Sequence, residues 1–261
     1  MSKISQVFKN NKAFIAFVTG GDPNIETTEK LIIAMEEAGA DIIEIGIPFS
    51  DPIAEGIVIQ EADERALKSG TTTDKLFDML NGLKEKVKIP LLFMTYLNPI
   101  YTYGKEKFLK NCEECGISGV IVPDMPFEER GELSDLCKNH RIDLISMITP
   151  TSNQSDERIK MIAKEADGFL YCVSSLGVTG VRNEIKTDIK NMIEQVKKVS
   201  DIPCAVGFGI STPEQAMNMS AVADGIIVGS AIVKIVGEYG GDCIEPVKKY
   251  VYEMKKAVKI L

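Results

Sequence analysis

The chain has 261 residues, 44% of them hydrophobic and 26% charged, which is enough to bury a sizeable core without disulfides or metals and unlike a disordered or fibrous composition. Thirty basic residues against 38 acidic ones give a net charge of −8, which argues against nucleic acid or an anionic membrane as partner. A single histidine excludes any motif that needs two imidazoles and leaves carboxylates as the expected proton carriers.

In chain order, Met1 to Phe17 carries no apolar secretory core, and no apolar run approaches the ~18 residues of a membrane span. A cytoplasmic protein with free thiols is expected. Eight short apolar runs follow: Phe14–Thr19, Asp41–Gly46, Pro90–Thr95, Gly119–Val122, Asp143–Ile148, Gly168–Val173, Pro203–Val206 and Gly225–Val228. They are too short and too continuous for surface strands and read as parallel strands covered on both faces. Amphipathic stretches separate them. Asp22-Pro23 predicts a helix start, Leu31, Met35 and Ala38 share one face, and Gly39 predicts its end. Cys112 and Cys115 form the one suggestive cysteine spacing, but no second pair or nearby histidine completes a zinc site, so they are expected as helix residues. Ser155-Asp156 predicts a further helix start ahead of Ile159 and Ile162. Near the C-terminus Val247, Tyr250, Val251, Met254 and Val258 form a stripe, with Lys248, Lys249, Lys255 and Lys256 off it.

Eight strands alternating with helices over 261 residues, about 33 residues per unit, predict a single-domain (β/α)8 TIM barrel over residues 1–261, with additional short helices. An open doubly wound sheet is the competing α/β architecture. Ile47–Thr72 is too long for a plain connection after strand two and must carry local structure, either as a lid or partner-contact element or as a surface insertion.

Alternation along Asp41–Ile47 places Ile43, Ile45 and Ile47 on one face, toward the helices, and Glu44 on the other, inside the barrel with Ile42 and Gly46. A carboxylate there is costly to ionise, so its pKa is expected to rise, which suits a general acid at neutral pH; a satisfied structural carboxylate is the plainer reading. Gly207-Phe208-Gly209 after strand seven and Gly229-Ser230 after strand eight occupy the recurrent phosphate position of such barrels, where backbone N–H groups and a helix N-terminus face an anion. Gly177-Val178-Thr179-Gly180, after strand six, is placed to fold over the same ligand. His140 precedes strand five, at the opposite end of the barrel, which disfavours a Cys–His or Ser–His nucleophile.

The segment Ala13-Phe14-Ile15-Ala16-Phe17-Val18-Thr19-Gly20-Gly21-Asp22-Pro23 resembles the opening of the tryptophan synthase alpha chain family, and Glu44-Ile45-Gly46-Ile47-Pro48-Phe49-Ser50-Asp51-Pro52 resembles its most diagnostic motif. Met94-Thr95-Tyr96-Leu97-Asn98-Pro99, Val122-Pro123-Asp124-Met125-Pro126, Gly177–Gly180, Gly207–Ile210 and Gly229–Val233 follow in the family's order. The resemblance covers nearly the whole chain. It implies a lyase that splits indole-3-glycerol phosphate into indole and glyceraldehyde 3-phosphate, with Glu44 delivering a proton to indole C3 and a second carboxylate engaging the indole N–H. Phe17, Tyr96 and Tyr171 match pocket positions. Gly180, Gly207, Phe208, Gly209, Gly229 and Ser230 match the phosphate segments, and Thr179 matches the lid threonine. The resemblance further implies no metal and no cofactor in this chain, and a pyridoxal-phosphate-dependent beta chain as partner in an alpha2beta2 heterotetramer.

One departure stands out. The family usually reads Ala-Asp-Gly-Pro where this chain has Ala54-Glu55-Gly56-Ile57, so the second carboxylate is Glu55, one methylene longer. Ala16, where the family often has Pro, is a lesser change. A regulatory subunit that lost its own chemistry through Glu55 is therefore the second reading. A lyase working without a beta chain and a phosphosugar isomerase on the same barrel are two others, though the isomerase leaves the Glu44 strand and its continuation unexplained.

Overall fold

The computed structural model describes residues 2–9, 11–149, 156–173, 182–207 and 209–258. Strands β1 (Ala13–Thr19), β2 (Ile42–Gly46), β3 (Leu91–Met94), β4 (Ile117–Ile121), β5 (Asp143–Ile148), β6 (Leu170–Val173), β7 (Cys204–Gly207) and β8 (Gly225–Val228) pair in parallel and in chain order. Ala13 pairs with Gly225, which joins β1 to β8 and closes the barrel. The open-sheet architecture is thereby excluded. Each predicted strand agrees with an observed one to within about two residues, the usual scatter of element ends.

Twelve α-helices lie among the described residues. In the first half they are α1 (Lys3–Val7), α2 (Ile25–Glu37), α3 (Ile57–Lys68), α4 (Thr73–Leu83), α5 (Leu97–Tyr103) and α6 (Lys105–Cys115). The second half holds α7 (Gly131–Asn139), α8 (Asp156–Glu165), α9 (Arg182–Lys197), α10 (Pro213–Ser220), α11 (Ser230–Tyr239) and α12 (Ile244–Val258). The long connection after β2 is ordered around α3, so it carries the local structure its length demands.

Strand alternation divides the apolar residues into two layers. Phe14, Ala16, Val18, Ile43 and Ile45 point outward and pack with Leu31, Met35, Leu76 and Leu80 of the helices. Ile15, Ile42, Leu92, Ile121, Ile145, Phe169 and Ile227 fill the interior. Helix α1 closes the N-terminal end of the barrel. Ile4 is fully buried with this interior set, and a Cβ added at Gly119 would sit 2.8 Å from Ile4 Cδ1. Phe8, just after α1, packs its ring 5.7 Å from that of Phe169.

Two local expectations are corrected. Asn24, not Asp22, caps α2, accepting the Thr27 N–H through its side chain; Asp22 instead pairs with Arg65 of α3. Lys255 does not stay at the surface beside the apolar stripe of α12. It is buried and ion-paired with Asp41, whose carboxylate also accepts the Phe14 N–H at 2.7 Å. A lysine stem is apolar enough to run through a core provided its ammonium finds a carboxylate. The start of α8 is as expected at Asp156, while Ser155 lies outside the described residues.

All six cysteines are free and buried, Cys112 and Cys115 on the core face of α6. Among the described residues no group of His, Cys, Asp and Glu side chains is arranged to hold a metal, and no helix is long and apolar enough to cross a membrane. His140 caps α7, and its ring nitrogens bond Glu113 and Glu106 of α6, away from the strand C-termini.

The Ile4 plug has a measurable consequence. Ile4→Ala is expected to lower stability by about 2–4 kcal/mol, read from urea unfolding midpoints. A change below about 0.5 kcal/mol, the range of an ordinary surface substitution, would show that α1 does not seal the barrel.

Candidate active site

Glu44 sits on β2 between Phe17 of β1 and Leu92 of β3, and all three point into the barrel. Gly46, one inward position further toward the strand's C-terminal end, leaves room for the Phe17 ring: a Cβ there would lie 2.7 Å from Phe17 Cζ. Glu44 has no exposed surface, and neither carboxyl oxygen has a hydrogen-bond partner. Burial raises its pKa to about 8. At neutral pH it is therefore mostly a neutral acid carrying a transferable proton. Tyr171 on β6 is buried nearby. Burial, and secondarily the Glu44 charge, push its phenol well above the ordinary range, so it stays un-ionised.

Glu55 approaches from the segment between β2 and α3. Its Oε2 is buried and unpartnered, and burial raises its pKa, opposed by a hydrogen bond from the Tyr96 hydroxyl. That hydroxyl also accepts the backbone N–H groups of Ile53 (3.1 Å) and Ala54 (2.9 Å). Tyr96 caps the start of α5, and its ring lies 5.5 Å from that of Phe49. One tyrosine thus fastens residues 53 and 54, directly before Glu55, to the barrel rim. Arg65 of α3 adds a second tie, donating to both Asp22 oxygens at 2.8 and 2.7 Å.

Asp63 lies under this segment. It is buried on α3 beside Ile59, Ala62 and Ala66. Burial first, then the negative charge of Glu55, raise its pKa to about 8. The sequence reading did not single it out. Its signal was an acid on the apolar stripe of an amphipathic helix, at the i+4 position from Ile59 and one residue after Ala62.

These groups border a cavity of about 380 Å³, a size suited to a small organic ligand. One wall holds Phe17, Glu44, Glu55, Met94 and Tyr171; Ile210 and Ile227 extend the apolar surface. Also lining the cavity are Gly209, just after β7, and Gly229 and Ser230, where β8 passes into α11. Gly229 lacks a side chain that could cap α11, so the first N–H groups of that ten-residue helix are left for a ligand. Gly207 stands behind the aromatic wall, since a Cβ there would fall 2.5 Å from the Tyr171 hydroxyl.

Of the residues singled out in the sequence, Glu44, Glu55, Phe17, Tyr171, Gly209, Gly229 and Ser230 border the one cavity. Tyr96 does not line it and instead holds the segment that carries Glu55. Thr179, Gly180 and Phe208 lie outside the described residues. Val58 and Ile59 line the cavity unannounced by any motif reading, and Met94 does so from a quoted motif that gave it no site role.

A buried acid with a raised pKa costs stability once its proton is lost. The unfolded chain releases the Glu44 proton near 4.5 and the folded chain near 8, so stability falls as pH rises through that window. Glu44→Gln is therefore expected to stabilise the fold at pH 9 relative to pH 5, by roughly 2–5 kcal/mol. Urea unfolding of both proteins at the two pH values checks this, and a difference independent of pH would refute the raised pKa.

Comparison with known proteins agrees with this geometry. Residues 4–259 match the sequence profile of the family described as Tryptophan synthase alpha chain. A protein of that name from Lacticaseibacillus casei is 44% identical over 258 residues, covering 99% of this chain and 96% of its own. Another, from Methanocaldococcus jannaschii, is 50% identical over 232 residues, covering 88% and 82%. The crystal structure of tryptophan synthase subunit alpha from Legionella pneumophila superposes with a TM-score of 0.90 at 34% identity, covering 100% of both chains. A Mycobacterium tuberculosis tryptophan synthase structure gives 0.90 at 30%, covering 100% and 99%. A barrel with a buried and a half-buried carboxyl lining one cavity, matched along nearly its full length by these relatives, belongs to the tryptophan synthase alpha chain family.

Proposed function

We propose that the chain cleaves indole-3-glycerol phosphate to indole and glyceraldehyde 3-phosphate, with Glu44 as acid and base and Glu55 at the indole nitrogen. The observation that carries this reading is the pairing of Glu44, buried and with a pKa raised to about 8, with a second carboxyl lining the same cavity. The bond to be broken joins indole C3 to a hydroxyl-bearing carbon. Glu44 gives its proton to C3, and the ring becomes an indolenine cation able to accept the bond's electrons. As the bond breaks, the side-chain hydroxyl becomes the aldehyde and its proton returns to the Glu44 carboxylate, so the cycle is proton-neutral. Glu55, held by Tyr96, accepts a hydrogen bond from the indole N–H and favours the cationic ring. Phe17, Tyr171, Met94 and Ile227 supply an apolar slot for the indole, and Gly209, Gly229 and Ser230 supply backbone donors for the phosphate. By family resemblance Gly180, Gly207 and Phe208 complete that end, and Thr179 is the lid threonine.

The reading extends to the whole of 1–261 as one barrel domain, acting in the cytoplasm with no cofactor of its own. Its partner is a pyridoxal-phosphate-dependent beta chain in an alpha2beta2 assembly. Two large hydrophobic side chains at the mouth support a protein contact there. Ile53 is 80% and Ile57 72% exposed, on the same segment that carries Glu55. Docking on this segment would act directly on the second carboxyl.

The regulatory reading turned on whether the extra methylene of Glu55 takes its carboxyl out of reach. Its buried Oε2 and its place on the cavity wall favour the catalytic reading.

Release of indole by the purified chain, alone and with a beta chain, tests the proposal. Glu44→Gln is expected to slow release roughly 10²–10⁴-fold. In the wild type kcat/KM should fall as pH rises through about 8, because the proton donor is then ionised. Equal rates for wild type and Glu44→Gln would remove Glu44 from the reaction. Glu55→Asp is expected to lower the rate about tenfold or more, by withdrawing a carboxyl that Tyr96 holds in place. A steep rise instead would favour the regulatory reading.

A further inference from the structure

We infer that Lys234 is a binding residue for the phosphate end of the substrate, a role that rests on the lyase reading and extends it. Lys234 lies on α11 four residues after Ser230, one helical turn along the same face, and both side chains border the cavity. It is the only lysine or arginine among the described residues that line this cavity, whose carboxyl groups are those of Glu44 and Glu55. A phosphomonoester carries close to two negative charges at neutral pH. It must enter an acidic protein of net charge −8 and come to rest beside two carboxyls. Neutral backbone donors at the start of α11 stabilise the bound anion, but the helix field fades within the first turn and does little for an approaching one. A lysine at the far side of that turn adds a full charge with reach toward the mouth.

The ammonium is available for this. Among the described residues its one ion pair, with Glu238, spans 3.8 Å, beyond hydrogen-bond distance, and both side chains are more than half exposed. Such a pair holds the lysine loosely, so turning toward an incoming phosphate costs little. The flexible lysine stem allows the ammonium to track the anion as it seats.

The test compares wild type, Lys234→Gln and Lys234→Arg in two independent assays. In the first, indole release from indole-3-glycerol phosphate is followed with the beta chain present. Lys234→Gln should raise KM about tenfold with kcat changing less than twofold, and should flatten the rise of KM with ionic strength; Lys234→Arg should restore most of the affinity. In the second, binding of glycerol 3-phosphate is measured by calorimetry without any reaction, and Lys234→Gln should weaken it by a similar factor while leaving indole binding alone. Wild-type affinity for glycerol 3-phosphate in Lys234→Gln, or an unchanged KM and salt dependence, would overturn the inference. If wild type released no indole yet bound glycerol 3-phosphate through Lys234, the lyase reading would fail and the phosphate role would stand. If wild type bound no glycerol 3-phosphate, the role itself would fall.

Discussion

An unpartnered carboxyl at zero exposure constrains everything built around it. Ionised Glu44 would carry a desolvation cost that no hydrogen bond in the barrel offsets, so the folded chain holds the proton to about pH 8. That state persists only in a dry, well-packed interior. The barrel supplies one through the Ile4 plug at the opposite end, the inward aliphatic layer, and the Phe17 and Tyr171 rings at the mouth. The residues that stabilise the fold and those that tune the acid are thus largely the same set.

The second carboxyl is set differently. Glu55 stands on a connecting segment, not a strand, and its position is borrowed from neighbours: the Tyr96 hydroxyl on the segment's backbone, the Asp22–Arg65 pair behind α3, and Asp63 beneath. Asp63 responds to its neighbour: burial first, then the Glu55 charge, make it harder to ionise. In the proposed reaction, an acid on a strand would transfer the proton while a carboxyl on the connecting segment would engage the indole nitrogen. The exposed Ile53 and Ile57 lie on this same segment.

Most of the barrel was legible in the sequence because parallel strands covered on both faces show as short apolar runs, and period-two alternation places Glu44 inside without any structure. The misses share a physical cause. Lys255 and Asp41 meet across 214 positions, and Asp22 and Arg65 across 43, so neither pairing has a local signal. Asp22 looked like a cap because its chemistry suits one; a tertiary partner took it instead. Helix α1 is five residues long, too short for a periodic pattern, and the role of Ile4 appears only when the barrel closes beneath it. Asp63 and Lys234 belong to amphipathic helices, where a charged residue reads as solvent-facing unless the cavity is known. Tyr96 was placed at the pocket by resemblance, yet its hydroxyl works one layer back, on the backbone that presents Glu55.

Direct titration of the Glu44 carboxyl tests the central claim most plainly. Infrared difference spectra of wild type minus Glu44→Gln, recorded across pH without substrate, isolate its protonated carbonyl band. The band should be present at neutral pH and disappear with a midpoint near 8. A midpoint near 4.5, the ordinary value for glutamate, would mean that Glu44 is ionised in the resting protein and cannot be the proton donor.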